Sequence, residues 1–407
     1  MSGPSLRLSL DVSAVPDRPV GAGRYTIDLA TALLARDDVT PTLWSRRGDA
    51  ARWRAMTGAG GAGAHVEAVA PERRPLRLAW EQARLPGLLR RADVAVHHGP
   101  HYTMPERARL PRVVTVHDLT FFEHPEWHER SKVVVFRRAI RVAARRADAI
   151  VCVSARTAER LEALCSPTGR VFVVPHGVDH DRFRPDPGAA DADGRILEGL
   201  GVHPPYVVFV GTLEPRKAVP DLVAAFDMVA GASSELSLVL AGQPGWGAAA
   251  VERAVAAARA GGRVVRTGYV PDDAVPALLR QAVAAAYPAL EEGFGLPALE
   301  ALACGTPLVT TAGTTMAELS AGAAFEVRPG SVGQLADALR AVAGGDDAVA
   351  ERRRLGLAVA AGHTWTACAA GHMAAYRWAV GGHPGSPPGP PPRPPPGPPP
   401  GGSAAPR

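Results

Sequence analysis

The chain has 407 residues, 46% hydrophobic and 21% charged, a length that favours two domains and a composition that excludes wholesale disorder and a membrane protein throughout. Its formal net charge of +5 is uneven: residues 1–186 carry 29 Lys and Arg against 21 Asp and Glu, net +8, leaving 16 against 19, net −3, for the rest. Cys152, Cys165, Cys304 and Cys368 are widely spaced with no C-x-x-C, which excludes a disulfide framework or a zinc ribbon and suits a reducing, cytoplasmic setting.

The N-terminus turns polar before any apolar run long enough for a signal peptide, and Leu6 to Val12 reads as a first strand. A glycine-rich turn, GAGRY at Gly21 to Tyr25, follows and opens a helix over Tyr25 to Ala35. It is not a dinucleotide fingerprint, because Thr26 stands where G-x-G-x-x-G needs its last glycine. Asp93 to His97, Arg112 to His117, Ala149 to Ser154 and Val171 to Val174 read as further strands of a parallel sheet. His97, His98 and His101 follow a strand, but no carboxylate or cysteine is spaced to complete a metal site with them. Between the later strands, Arg137, Arg141 and Arg145 recur at i, i+4, i+8. They read either as a solvated helix face or as a face for anionic headgroups, with peripheral attachment at the inner side of a membrane. No aromatic residues interleave with these charges, which argues against nucleic acid.

The theme repeats in the second half. Strands are expected at Tyr206 to Gly211, Leu236 to Ala241, Val264 to Thr267, Ala284 to Tyr287 and Pro307 to Thr310, with helices near 220–230, 248–260, 273–282, 297–304 and 331–343. Buried parallel strands alternating with helices predict an α/β chain of two doubly wound, Rossmann-like domains. The expected organisation is a first domain over 1–183, a Pro-, Gly- and Asp-rich linker over 184–201 and a second domain over 202–362. Residues 355–376 lack Asp, Glu, Lys and Arg, but their glycines, histidines and threonines make a poor membrane span. The tail, 384–407, has 13 prolines in 24 residues and no acidic side chain, a composition that predicts disorder or polyproline II.

The most informative segment is EEGFGLPALEALACGTPLVTT, Glu291 to Thr311, with Glu292 and Glu300 eight residues apart around Gly293, Gly295 and Pro297. Pro297 suits a helix start and Gly305 its end, which puts Glu292 on the preceding loop and Glu300 about one turn inside the helix. The helix's free N–H groups favour an anion, and two carboxylates beside it favour a polyhydroxylated partner. A nucleotide diphosphate sugar satisfies both.

Glu292 to Glu300 resembles the E-x7-E element of retaining family 4 glycosyltransferases, and VGTLEPRK, Val210 to Lys217, resembles that family's diphosphate-binding strand and turn. GAGRY, TVHDLTF at Thr115 to Phe121, VCVSA at Val151 to Ala155 and VPHGVD at Val174 to Asp179 match in the same order, and the likeness runs to about Tyr376. The resemblance implies the GT-B architecture, two facing domains with a cleft between them, and a C-terminal helix over 363–380 that crosses back onto the first domain. It implies a metal-independent transfer with no cofactor beyond the donor. Mannose from GDP-mannose is favoured by the GTLEPRK form, and a glycan or lipid-linked hydroxyl is the acceptor, as in polysaccharide biosynthesis. By the same likeness, His117, Glu292 and Lys217 are the catalytic candidates. Arg216 and Lys217 would neutralise the leaving diphosphate, although Ala218 stands where the family usually has Asn. Glu300 would hold the ribose, Glu292 the transferred sugar and the charge developing at its anomeric carbon, and His117 a sugar hydroxyl or the leaving phosphate. Phe294, Gly295 and Leu296 would offer amides, Gly23, Thr314 and Thr315 further phosphate contacts, and Arg24 a contact to phosphate or acceptor. A GT-B epimerase, a phosphorylase and a non-catalytic nucleotide-sugar-binding protein are the competing readings.

Overall fold

The computed structural model describes residues 5–60, 63–231 and 235–381. The expected tail, 384–407, lies outside them. Seven parallel strands form the first sheet: β1 (Leu6–Asp11), β2 (Val39–Arg46), β3 (His65–Ala70), β4 (Val96–Gly99), β5 (Arg112–Val116), β6 (Ala149–Cys152) and β7 (Arg170–Val173), in the order β3-β2-β1-β4-β5-β6-β7. Six form the second: β8 (Tyr206–Val210), β9 (Ser237–Ala241), β10 (Val264–Gly268), β11 (Ala284–Tyr287), β12 (Leu308–Thr311) and β13 (Ala324–Val327), in the order β10-β9-β8-β11-β12-β13. Each order reverses once, between β1 and β4 and between β8 and β11. Those reversals are where open α/β sheets leave a crevice beyond the carboxyl ends of their strands.

Period-2 alternation explains why helices cover both faces of the first sheet. Val113, Ala149 and Val151 join a core that includes Tyr25, Leu29, Met373 and Tyr376. Their neighbours Val114, Val116, Ile150 and Cys152 point to the opposite core, with Ile140 and Leu161. The first core sits under the helices Ala22–Leu34 and Trp365–Val380, the second under Arg130–Arg146 and Ala155–Cys165. The second sheet shares one large core with its helices.

β2, β3 and β13 were not expected from the pattern. Thr40, Pro41, Thr42 and Ser45 interrupt the apolar run of β2, and β3 is a half-exposed edge strand with little to bury. The expected linker, 184–201, contains the helix Ala190–Gly199, which the composition did not suggest. Its Leu197 enters the second core, and Asp193 pairs with Arg280 at 2.6 Å and accepts from Gln281 at 3.1 Å. The Pro, Gly and Asp content hid an amphipathic helix whose few apolar residues do all of its packing.

The last helix, Trp365–Val380, packs against the helix Ala22–Leu34 and against β4, β5, β6 and β7 of the first sheet. Thr364 caps it by accepting from the Ala367 N–H at 3.1 Å. The chain reaches it beside the segment that left the first domain: Val178 and Thr364 form a parallel bridge, and Val178 N–H donates to His363 O at 3.1 Å. Buried polar groups then anchor the helix. Tyr376 Oη meets His98 Nδ1 at 2.8 Å, and Tyr25 Oη lies 2.7 Å from His372 Nε2 and 2.8 Å from Thr115 Oγ1. No helix among the described residues is long and apolar enough to cross a membrane. Because Tyr376 is fully buried and also satisfies His98, Tyr376→Ala is expected to cost about 3–5 kcal/mol of stability, measured by urea unfolding.

Candidate functional site

Both crevices open onto one cleft. From the second sheet, β8 runs into the turn Gly211–Lys217 and β11 into the loop Pro288–Gly295, which leads to the helix Leu296–Ala303. Gly295 precedes that helix at φ 100°, a left-handed conformation, so Pro297 occupies its second position. From the first sheet, β5 ends beside His117. The two walls meet at Gly293: a Cβ there would lie 1.8 Å from His117 O, so only glycine allows this approach. Ser154, at the N-cap of the helix Ala155–Cys165, donates to Gly293 O at 2.8 Å, while accepting from Thr157 N–H at 3.2 Å.

The turn Gly211–Lys217 ends in a single 3-10 turn, Pro215–Lys217, so both cations leave the chain on the side facing the β11 loop. Leu290 N–H donates to Arg216 O at 2.8 Å, which locks turn and loop together. Glu292, 8% exposed, lies between the two cations: Arg216 Nη1 reaches Oε2 at 2.7 Å and Lys217 Nζ binds Oε1. Burial pushes the Glu292 carboxyl up, but Arg216 and Lys217 outweigh it and bring it to about 2. Arg216 is held further by Glu214 at 2.9 Å. Lys217 shares Glu292 with Arg216, and burial lowers its ammonium below the ordinary lysine range. The pair is therefore buried, cationic and close to balanced charge, and an arriving diphosphate would compete with Glu292 for both cations.

His117 is buried, and burial lowers its pKa, which keeps the imidazole neutral. Its Nε2 lies 2.8 Å from Pro100 O. A carbonyl only accepts, so the proton sits on Nε2 and Nδ1 is left as an acceptor. Glu300 is pushed up to about 8 by burial, with Arg24 opposing and Asp28 reinforcing the shift. Burial therefore favours the protonated form of Glu300 at neutral pH.

Several expected contacts are already committed elsewhere. The Gly23 N–H donates to Val20 O at 3.0 Å, so that amide does not face a phosphate. Arg24 pairs with Asp28 at 3.1 Å and, across the cleft, with Asp272, whose backbone carbonyl also accepts from Arg182 at 2.6 Å. It serves as a strut between the domains, and its charge acts on Glu300. The Thr314 hydroxyl donates to Thr311 O at 2.7 Å and caps the helix Thr315–Ser320, which takes it away from a ligand. Thr315 Oγ1, by contrast, is buried without a partner. Phe294 and Leu296 are buried beside the helix start. Arg137 is also committed: it donates to Phe121 O at 2.6 Å and Phe122 O at 3.2 Å, and Arg141 lies over the Phe122 ring at 5.1 Å. Of the expected arginine stripe, Arg141 and Arg145 remain exposed, and Arg137 is half-buried.

His97, His98 and His101 bond to Ser9, to Thr115 and Tyr376, and to Thr26 respectively. Among the described residues, no three His, Cys, Asp or Glu side chains come together as a metal site.

Two residues here, Ser154 and His176, had no assigned role in the sequence, and a third, Glu291, is there only the competing assignment to Glu292 if the register slips. Glu291, next to Glu292, turns to the first domain and pairs with Arg160 at 2.7 Å and Arg156 at 3.2 Å. Ser154 gives VCVSA a role, as the clamp on Gly293. His176, from VPHGVD, stacks between Tyr25 at 4.7 Å and Phe294 at 4.5 Å, with both ring nitrogens unpartnered.

Residues 19–182 match the Glycosyltransferase Family 4 family and residues 198–356 the Glycosyl transferases group 1 family. The O-antigen chain mannosyltransferase B of Escherichia coli is 29% identical over 308 residues, covering 74% of this chain and 77% of that protein. The D-inositol 3-phosphate glycosyltransferase of Nocardia farcinica is 32% identical over 290 residues, covering 68% of this chain and 63% of its own length, just under two thirds. Among solved structures, the sucrose-phosphate synthase of Thermosynechococcus elongatus superposes with a TM-score of 0.75 at 17% identity, over 93% of this chain and all of that one. Anabaena Alr3699/HepE in complex with UDP-glucose superposes with a TM-score of 0.70 at 19% identity, over 91% of this chain and 99% of that one.

Glu291→Gln removes the shared partner of two arginines at the domain contact. A loss of about 1–3 kcal/mol is expected in urea unfolding, the lower end reflecting the partial exposure of Arg156 and Arg160.

Proposed function

The chain belongs to the GT-B glycosyltransferases of the family 4 type, and on that premise we propose that it moves a hexosyl group with retention from a nucleotide diphosphate donor to an acceptor hydroxyl. The donor we favour is GDP-mannose, in keeping with the GTLEPRK turn and the likeness to a mannosyltransferase. The acceptor we favour is a glycan or lipid-linked glycan. The observation that carries this reading is the Arg216–Glu292–Lys217 cluster, whose loop brings Gly293 against the His117 carbonyl at the end of β5.

In this mechanism the donor's diphosphate takes the two cations, Arg216 through paired N–H bonds and Lys217 as a point charge. Glu292, released from them yet still ionised, faces the anomeric carbon as its bond to the leaving oxygen breaks and positive charge develops. The acceptor oxygen bonds to that carbon on the same face, and its proton passes to the departing diphosphate oxygen. His117 Nδ1 accepts from a hydroxyl of the transferred sugar and orients the ring. Glu300 takes the ribose hydroxyls, and the amides at the start of the helix Leu296–Ala303 add positive potential at the phosphates. Thr315 Oγ1, buried and unpartnered, supplies one further contact.

Lys217→Ala is expected to weaken nucleotide diphosphate binding by about 10- to 100-fold, the worth of one charge-assisted contact. Glu292→Gln is expected to lower kcat by about 100- to 1000-fold while nucleotide affinity holds or rises, since its role is at the charge that develops in transfer and the diphosphate no longer competes with a carboxylate for Arg216 and Lys217. Calorimetry with GDP, UDP and ADP, alongside nucleotide release in the presence of sugar donors, separates the two effects. Wild-type behaviour in both variants overturns the reading.

A pH dependence follows from Glu300. In the free protein its carboxyl holds its proton up to about pH 8, whereas ribose hydroxyls donate to the ionised form. Binding therefore expels a proton below pH 8, and affinity rises with pH until about 8 and is flat above. A gain of about tenfold between pH 6 and 8 corresponds to a drop of one pKa unit on binding. Calorimetry in buffers of different ionisation heat measures the released proton, and Glu300→Gln is expected to abolish it.

A further inference from the structure

Trp246 stands on the turn between β9 and the helix Ala248–Ala257, and it is 46% exposed. Among the described residues, no hydrogen bond takes up its indole N–H. Tryptophan, with an apolar body and a polar tip, is enriched where one molecule covers another. It is also held in place. The flanking glycines press on the turn that carries Arg216 and Lys217: a Cβ on Gly245 would lie 2.7 Å from Leu213 O, and one on Gly247 2.8 Å from the same atom. Leu213 N–H donates to Gln243 O at 3.1 Å and Gly247 N–H to Leu213 O at 3.1 Å, so the Trp246 turn moves as one with the phosphate-facing turn.

Across the cleft the indole meets the first domain. Lys132 Nζ lies 5.0 Å from its ring centroid, and the His128 ring 6.3 Å away, edge on. His128 is tied back to the strand end that carries His117, because Thr120 Oγ1 lies 2.9 Å from His128 Nε2 and donates to Asp118 Oδ1 at 2.7 Å. An aromatic face, an ammonium and an imidazole thus converge at the cleft mouth, outside the residues assigned to the donor.

We propose that Trp246, with His128 and Lys132, forms a subsite for a pyranose ring of the acceptor. The C–H face of a pyranose is apolar and weakly electropositive and stacks on the negative face of an indole, while its hydroxyls meet the N–H, the imidazole and the ammonium. The subsite rests on the glycosyl-transfer reading, and it narrows the acceptor to one that presents a sugar ring.

Saturation-transfer NMR on the full chain with GDP, UDP or ADP at saturation, using the methyl α- and β-pyranosides of mannose, glucose and galactose, tests it. Ring protons of at least one glycoside are expected to gain saturation from the wild-type protein. Trp246→Ala is expected to cut that signal by about fivefold and Trp246→Phe to keep most of it, as for loss and retention of one stacking contact. Thermal stabilisation by the nucleotide should hold in both variants. An unchanged signal in Trp246→Ala overturns the subsite and leaves Trp246 as a domain strut. So does the absence of saturation for every glycoside while a nucleotide still stabilises the wild type. If no nucleotide stabilises the wild type, the donor reading fails, and the subsite fails with it.

Discussion

A carboxylate and two cations held largely out of bulk water impose the main constraint on this molecule. Burying Glu292 alone, or Arg216 and Lys217 alone, would be prohibitive, so the turn after β8 and the loop after β11 have to be built together. The Leu290 to Arg216 backbone bond, the 3-10 turn at Pro215–Lys217 and the left-handed Gly295 all serve that pairing. The switch-point order of the second sheet is what brings the two segments side by side, since β8 and β11 are neighbours there, with Ala284 paired to Val207, 77 positions apart in the chain. Such a cluster adds little net stability against an apolar equivalent. Its value is that the charges an anionic ligand needs are already desolvated and aimed before the ligand arrives.

The same loop carries the contact between the domains. Glu291 faces the arginines of the first domain while Glu292 faces the cations of the second, and Gly293 fits beneath His117 and Ser154. Consecutive residues with opposite allegiances make the geometry at the reacting end depend on how the domains meet. Elsewhere in the contact, Arg24 of the first domain pairs with Asp272 of the second, whose carbonyl is held by Arg182. Phe294 stacked on His176 lies between these two attachments.

What was legible in the sequence was whatever repeats locally or carries a motif. The strands β1, β4 to β6, β8, β9, β11 and β12 are short apolar runs between helical patterns, and the GT-B pairing of two such sheets follows from the resemblance. β2 and β3 were not legible, because Thr, Pro and Ser residues break one and the other is an edge. In the site, the sequence shows residue types but not the partners that the fold gives them. Arg24, Gly23, Thr314 and Arg137 look equally available in the sequence, yet each is satisfied by a carboxylate, a carbonyl or a helix end that only the fold supplies. Glu291 is the converse case. Its partners Arg156 and Arg160 lie more than a hundred residues away, and nothing in the local pattern separates it from Glu292.

The chain passes between the domains twice, at Val178 and again at Thr364, and the two passages lie side by side as a parallel bridge. Two adjacent covalent crossings act as the paired pins of a door. They tether the domains at one place, so any rotation of one domain against the other would move groups far from the bridge furthest and those near it least. Because the two walls belong to one tethered chain, the entropic cost of bringing them together is below that of docking two separate bodies.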